Sequence, residues 1–256
     1  MPVGILISNG RCIALDLQWT RRNSRSMKAI SKITVLSAAL ICFASAGIAA
    51  AQDAITPTGH AELFNGKDFS GWTFFQRGNT DPMQTWSITN GLLECTGKPT
   101  GVMRTEKKYA DFKFTVEWRF PTNMTRAINT GVCVFMHDRD ASTPTNLVWG
   151  NSIECQGMHD HQGDFWFWGG ADCAEPKNMK TNGIKMLQPS AEKPAGEWNT
   201  FEVICKNNTV EIIVNGTSMN KITGCNNSDG YIGLQSEGGP WEARKISIEP
   251  LTPDKM

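Results

Sequence analysis

The chain has 256 residues, 40% of them hydrophobic and 20% charged, with 25 Lys and Arg against 25 Asp and Glu. These proportions are those of an ordinary globular domain and argue against a disordered body. The neutrality averages two unlike parts: residues 1–32 hold six basic groups and one acid, which leaves 19 basic and 24 acidic residues from Gln52 onward, a balance that excludes nucleic acid and anionic membrane surfaces as partners because both require clustered Lys and Arg.

In chain order, Lys28 and Lys32 precede an apolar stretch, 33–50, that carries no charge and runs into Ala49-Ala50-Ala51. A basic start, an apolar centre and a small-residue end make the pattern of a secretory signal peptide. Met27 stands directly before Lys28, so residues 1–26 read as an over-extended start, 27–51 as the signal and 52–256 as one exported domain. The expected location is periplasmic or extracellular, without membrane insertion once the signal is cleaved. An uncleaved anchor is the alternative, since the stretch is nearly long enough to cross a bilayer. Six cysteines remain in the mature part, Cys95, Cys133, Cys155, Cys173, Cys205 and Cys225. An even number in an exported chain predicts disulfides, with the connectivity left open. No C-x-x-C pair occurs, which argues against a structural zinc site.

Period-two alternation then dominates. Short runs at 85–88 and 92–95, divided by Asn90-Gly91, predict paired strands. In 112–120, Phe112, Phe114, Val116, Trp118 and Phe120 alternate with Lys113, Thr115, Glu117 and Arg119, so one face is core and the other polar. Further strands are expected at 130–136, 151–158, 201–205, 210–214, 231–236 and 245–249. From Gln52 onward no long amphipathic helix is legible, and the pattern predicts an all-β sandwich of two antiparallel sheets. The segment 158–195 breaks the rhythm as a long irregular loop carrying His159, His161, Asp164, the run Phe165-Trp166-Phe167-Trp168 and Cys173. Loops of this length are often functional, although the same segment would serve as an aromatic cap pinned by a disulfide.

Strand parity selects the candidate chemistry. Ser152, Glu154, Gln156 and Met158 share one face of their strand, and Tyr231, Gly233, Gln235 and Glu237 one face of another. With Glu117 and Arg119 they supply carboxylates, amides and a guanidinium, which hydrogen-bond sugar hydroxyls, while flanking Trp166 and Trp168 offer rings to stack on a pyranose. The alternative meaning of such alternation is a solvated sheet face. His159, His161 and Asp164, with Glu154, form a candidate set for a divalent metal ion, and either histidine would also serve as a general base. No G-x-S-x-G elbow and no phosphate-cradling glycine loop is present.

Taken together, Leu63-Phe64-Asn65-Gly66-Lys67-Asp68, Ser70-Gly71-Trp72, Trp86, Asn90-Gly91-Leu92-Leu93, Tyr109-Ala110-Asp111-Phe112, Glu117-Trp118-Arg119, Asn129-Thr130-Gly131-Val132, Ser152-Ile153-Glu154-Cys155-Gln156, Gly196-Glu197-Trp198-Asn199, Val214-Asn215-Gly216, Gly230 to Gln235, Glu242-Ala243-Arg244 and Pro250-Leu251 resemble, in order, the secreted 3-keto-disaccharide hydrolase domain family. That family is also described as 3-keto-glucoside 1,2-lyase and 3-keto-2-hydroxy-glucal hydratase. The resemblance covers 60–251 and implies a concanavalin A-like jelly roll. It also implies a substrate oxidised at C3, whose acidified C2 proton is removed so that the C1 substituent leaves, followed by hydration of the glucal. A separate sugar 3-dehydrogenase would supply such a substrate. Carried over by position, Glu117, Arg119, Asn129, Gln156, Gln235 and Arg244 are expected in or beside the pocket, with Glu154 as base or metal ligand and His159 or His161 as second acid/base. The chain departs from the family pattern at Thr130, at Lys245 and through 158–176. Two rival readings remain: a non-catalytic, lectin-like carbohydrate-binding module, and a disulfide-stapled interaction protein with an exposed apolar patch at 165–168.

Overall fold

The structure, a computed structural model, describes residues 53–138 and 148–251; the reading of 1–51 as leader and signal lies outside the described residues. Among the described residues sixteen strands follow in order: β1 (Ala61–Glu62), β2 (Trp72–Gln76), β3 (Trp86–Thr89), β4 (Leu92–Cys95), β5 (Gly101–Thr105), β6 (Tyr109–Ala110), β7 (Phe112–Arg119), β8 (Gly131–His137), β9 (Asn151–Gln156), β10 (Phe165–Trp168), β11 (Gly183–Ile184), β12 (Asn199–Lys206), β13 (Thr209–Val214), β14 (Thr217–Ile222), β15 (Asp229–Ser236) and β16 (Trp241–Pro250). They form two antiparallel sheets. Sheet I runs β14-β13-β12-β7-β16-β4-β3 with β1 against β16, and sheet II runs β11-β10-β9-β8-β15-β5-β2 with β6 against β15. This is the expected jelly-roll sandwich.

The two inner faces meet in one core, to which β7 contributes Phe112, Phe114, Val116 and Trp118, β12 contributes Phe201, Val203 and Cys205, and sheet II answers with Val132, Val134, Ile153, Ile232 and Leu234. Alternation produces this directly, because successive side chains leave opposite faces of a strand. Two bulges adjust the faces. Phe135 takes φ 50° where the β8 register slips against β9 and β15, so Phe135 turns into the core while Met136 joins the outer face of sheet II. A second slip between Ala243 and Lys245 in β16 leaves Arg244 exposed and Lys245 half-buried, both on the outer side of sheet I between inward Ala243 and Ile246.

Two expectations need correcting. The 158–195 segment is not irregular throughout, because Phe165–Trp168 is strand β10, paired with β9 and β11. Phe165 and Phe167 are buried in the core while Trp166 and Trp168 are half-buried on the outer face, so no wide apolar patch is exposed there. An all-aromatic run hides its period because both faces look apolar. The disulfide expectation also fails among the described residues: all six cysteines are free thiols, five of them buried. Burial drives the Cys95 and Cys225 thiols up to about 12, and they serve as small apolar fillers. Thiol titration of the folded protein is therefore expected to label only half-buried Cys173 promptly, the other five reacting after denaturation. A non-reducing peptide map that recovers a cross-linked pair would contradict this.

Candidate active site

The outer face of sheet II holds a buried carboxyl. Glu154 projects from the middle of β9, opposite Trp166 of β10 and Cys133 of β8, and is only 1% exposed. Its Oε2 accepts a 2.6 Å hydrogen bond from Trp168 Nε1. Burial and the nearby Glu237 charge push its pKa from 4.5 to about 8, against the opposing effect of the Trp168 bond and of Gln235. Burial also raises Glu237, opposed by the positive charge of Arg77. Asn129, bridged in backbone register to Glu237, donates its Nδ2 to Glu237 Oε2 at 2.9 Å. Gln235 faces Glu154 without reaching hydrogen-bond geometry, and both of its side-chain polar atoms lack partners.

Gly131 lets Glu154 and Gln235 approach one another closely. It pairs with Gln156 on β9 and lies across from Gln235, as the Val132–Leu234 pairing beside it requires. A Cβ there would lie 2.7 Å from Gln235 Oε1, closer than packed atoms tolerate, and a tight 3.2 Å from Glu154 Cγ. Further along the face, the Arg104 guanidinium is held between the rings of Phe75 and Tyr231, at 4.5 and 3.8 Å, and pairs with Asp138 at 2.7 Å. Buried side-chain atoms without partners gather here: Arg104 Nε, Asn129 Oδ1, Ser152 Oγ, Trp166 Nε1 and both Gln235 atoms. Buried polar groups are ordinarily paired, and this concentration sets the outer face of sheet II apart from the rest of the described residues.

The structure brings together Asn129, Glu154, Trp166, Trp168, Gln235 and Glu237 from the sequence expectation. Gln156 lies on the same face but turns its Oε1 back to the Met158 N–H. Glu117, Arg119 and Arg244 do not join them. They lie on the outer face of sheet I, where Arg119 pairs with Glu242 at 2.8 Å and Arg244 with Glu117 at 2.6 Å, and both guanidinium groups flank the Trp198 ring at 4.4 and 4.8 Å. Parity identifies the outward residues of a strand but not the sheet that carries it. The metal set Glu154, His159, His161 and Asp164 likewise does not converge. Asp164 is 2% exposed and is spent on the Met186 N–H at 2.7 Å and on His161 at 3.3 Å, while His159 packs edge-on against Phe120. The reason is a tight turn after β9, closed by Gln156 N–H to Asp164 O and Gly163 N–H to Gln156 O.

Sequence reasoning passed over Gly131 and Arg104 as site residues. The first stood in a quoted motif, whereas the second lies in Gly-Val-Met-Arg-Thr, which shows no alternation. Two clefts of about 380 Å³ lie elsewhere, beside Pro121 and Pro240. Neither cleft is lined by a buried carboxyl.

Solved structures that share the fold include the following three. A putative glycosyl hydrolase from Parabacteroides distasonis is 19% identical over 76% of this chain and 95% of its own (TM-score 0.55), and a second from the same organism is 22% identical over 75% and 99% (TM-score 0.51). An endo-β-1,3-glucanase from Pyrococcus furiosus is 13% identical over 77% and 94% (TM-score 0.51). No functionally curated protein matches the chain. The profile of the 3-keto-alpha-glucoside-1,2-lyase-like domain matches residues 59–249, and the chain belongs to that family.

Proposed function

We propose that the outer face of sheet II is the active site of an exported lyase and hydratase acting on glucosides or disaccharides already oxidised at C3. The observation that carries this reading is the buried carboxyl Glu154 surrounded by side-chain donors and acceptors that lack protein partners. In the reading, Glu154 removes the C2 proton, which the adjacent ketone acidifies. The electron pair passes into an enediolate whose O3 is held by donors from Gln235 and Trp166, a stabilisation strongest where charge develops. Collapse of the enediolate expels the C1 oxygen, and Glu237, raised by burial, gives that leaving group its proton. Water then adds to the glucal to yield the free 3-keto sugar. The Trp168 indole donates to Glu154 Oε2, so a sugar hydroxyl that bonds this oxygen would have to displace the ring and take over its donor role.

The chemistry requires a partner upstream, a dehydrogenase that oxidises the C3 hydroxyl, and residues 27–51 would export the protein to the compartment where the glycan lies. The test is release of reducing sugar by the protein beginning at Gln52, offered 3-keto-trehalose and an aryl 3-keto-glucoside beside the unoxidised sugars. Release from the keto sugars alone is the expected result. Equal release from unoxidised sugars would replace elimination with ordinary two-carboxylate hydrolysis, and binding without any release would make the domain a carbohydrate-binding module.

A further inference from the structure

Away from Glu154, the turn after β9 and the segment before β12 bring together His159, Asp160 and Glu192. One ligand atom from each lies within 4.8 Å of the other two. His159 Nδ1 stands 3.1 Å from Asp160 Oδ2, and the Asp160 N–H donates to Glu192 Oε2 at 2.8 Å. Asp160 reaches this position with φ 66°, in the left-handed region that Asp tolerates better than most side chains. These contacts do not complete the cluster. Glu192 Oε1 is buried and no group meets it in full hydrogen-bond geometry, although the amide of Gln162, 1% exposed, is turned toward the same carboxylate. An ion pair and one backbone hydrogen bond would explain His159 and Asp160, but they leave a buried carboxylate oxygen unsatisfied, which native structures avoid.

We infer that His159, Asp160 and Glu192 form a site for a first-row divalent cation of the Zn²⁺ or Mn²⁺ class. Two carboxylates and a neutral imidazole bring two negative charges, which such an ion neutralises. One nitrogen and two oxygen donors suit these metals better than Ca²⁺, which takes six to eight oxygens, or Mg²⁺, which keeps most of its water. Three protein ligands leave at least one coordination position to water. The ion would tie the turn after β9 to the segment leading into β12, joining sheet II to sheet I. This inference does not depend on the reaction proposed for Glu154.

The experiment is isothermal titration of the metal-stripped protein with Zn²⁺, Mn²⁺ and Ca²⁺ in turn, together with the thermal midpoint with and without each ion. One equivalent of Zn²⁺ or Mn²⁺ is expected to bind and raise the midpoint, with Ca²⁺ far weaker. His159→Asn and Glu192→Gln should each weaken binding by at least about 10- to 100-fold, the loss typical even of outer-shell changes. Asp160→Asn, on an exposed side chain, provides a variant expected to fold normally should the others not. His161→Asn, which removes the neighbouring histidine outside the cluster, should leave affinity unchanged. No binding by the wild type, undiminished binding by Asp160→Asn, or loss of binding in His161→Asn instead would each overturn the assignment.

Discussion

Glu154→Gln is expected to lower kcat on a 3-keto-glucoside by about 10²- to 10⁴-fold, the usual cost of removing a general base, while KM changes little. The amide keeps the shape of the protonated carboxyl and removes only its proton chemistry. For the wild type, kcat/KM should rise with pH and level off above about 8, where Glu154 becomes ionised. Stability moves the opposite way. The folded pKa is raised from 4.5 to about 8, so the contribution of this group to stability is complete below about pH 4.5 and is lost as pH rises through 8. The Gln variant does not ionise, so its stability advantage over the wild type should grow across that window. A slow variant that is also the more stable at pH 8 therefore reports lost chemistry, not lost structure. If Glu154→Gln retained full turnover, the assignment of the base would fall. Saccharide binding of unchanged affinity, with no turnover in either protein, would favour a lectin-like domain.

Trp118→Ala should cost about 3–5 kcal/mol, the range for deleting a large buried aromatic side chain. The ring is fully buried, 4.9 Å from Phe201 and 6.0 Å from Trp241 between centroids, and its Nε1 donates to Gln162 at 3.4 Å. Gly157 completes the fit, since a Cβ there would stand 2.5 Å from Trp118 Cη2. The cavity would open where β7, β12 and β16 meet and could not readily collapse, because the strands are fixed by their ladders. Urea denaturation measures this directly, with a midpoint lowered by on the order of 1–3 M. A loss under about 1 kcal/mol would mean that neighbouring rings close over the gap.

Residues acting within one strand were legible before folding. In 112–120 the alternation fixes which side chains turn inward whatever the rest of the chain does, because the period of a strand is two; the same holds for Ile153 against Glu154 and for Leu234 against Gln235. Glu154, Gln235 and Glu237 were therefore identifiable as outward polar groups from local pattern alone, and so was the sandwich they belong to. Periodicity has no term for partners. Glu117 and Arg119 alternate as cleanly as Glu154, yet β7 lies in sheet I and β9 in sheet II, so identical parity places them on opposite outer surfaces. β10 was unreadable because aromatic residues on both of its faces erase the contrast on which alternation depends.

Sequence by itself thus determined the alternating strands such as β7, β12 and β13, their inward residues and the polar character of the face bearing Glu154, since each follows from neighbours along the chain. Tertiary structure alone decided what that face can do. The raised pKa of Glu154 requires burial beside Glu237, which outweighs the lowering effect of the bond from Trp168, the close approach of Glu154 and Gln235 requires Gly131 opposite Gln235, and His159 meets Glu192 only because two distant loops close on each other. Desolvation and charge coupling act through space between segments that are remote in sequence, which is why no local pattern announces them.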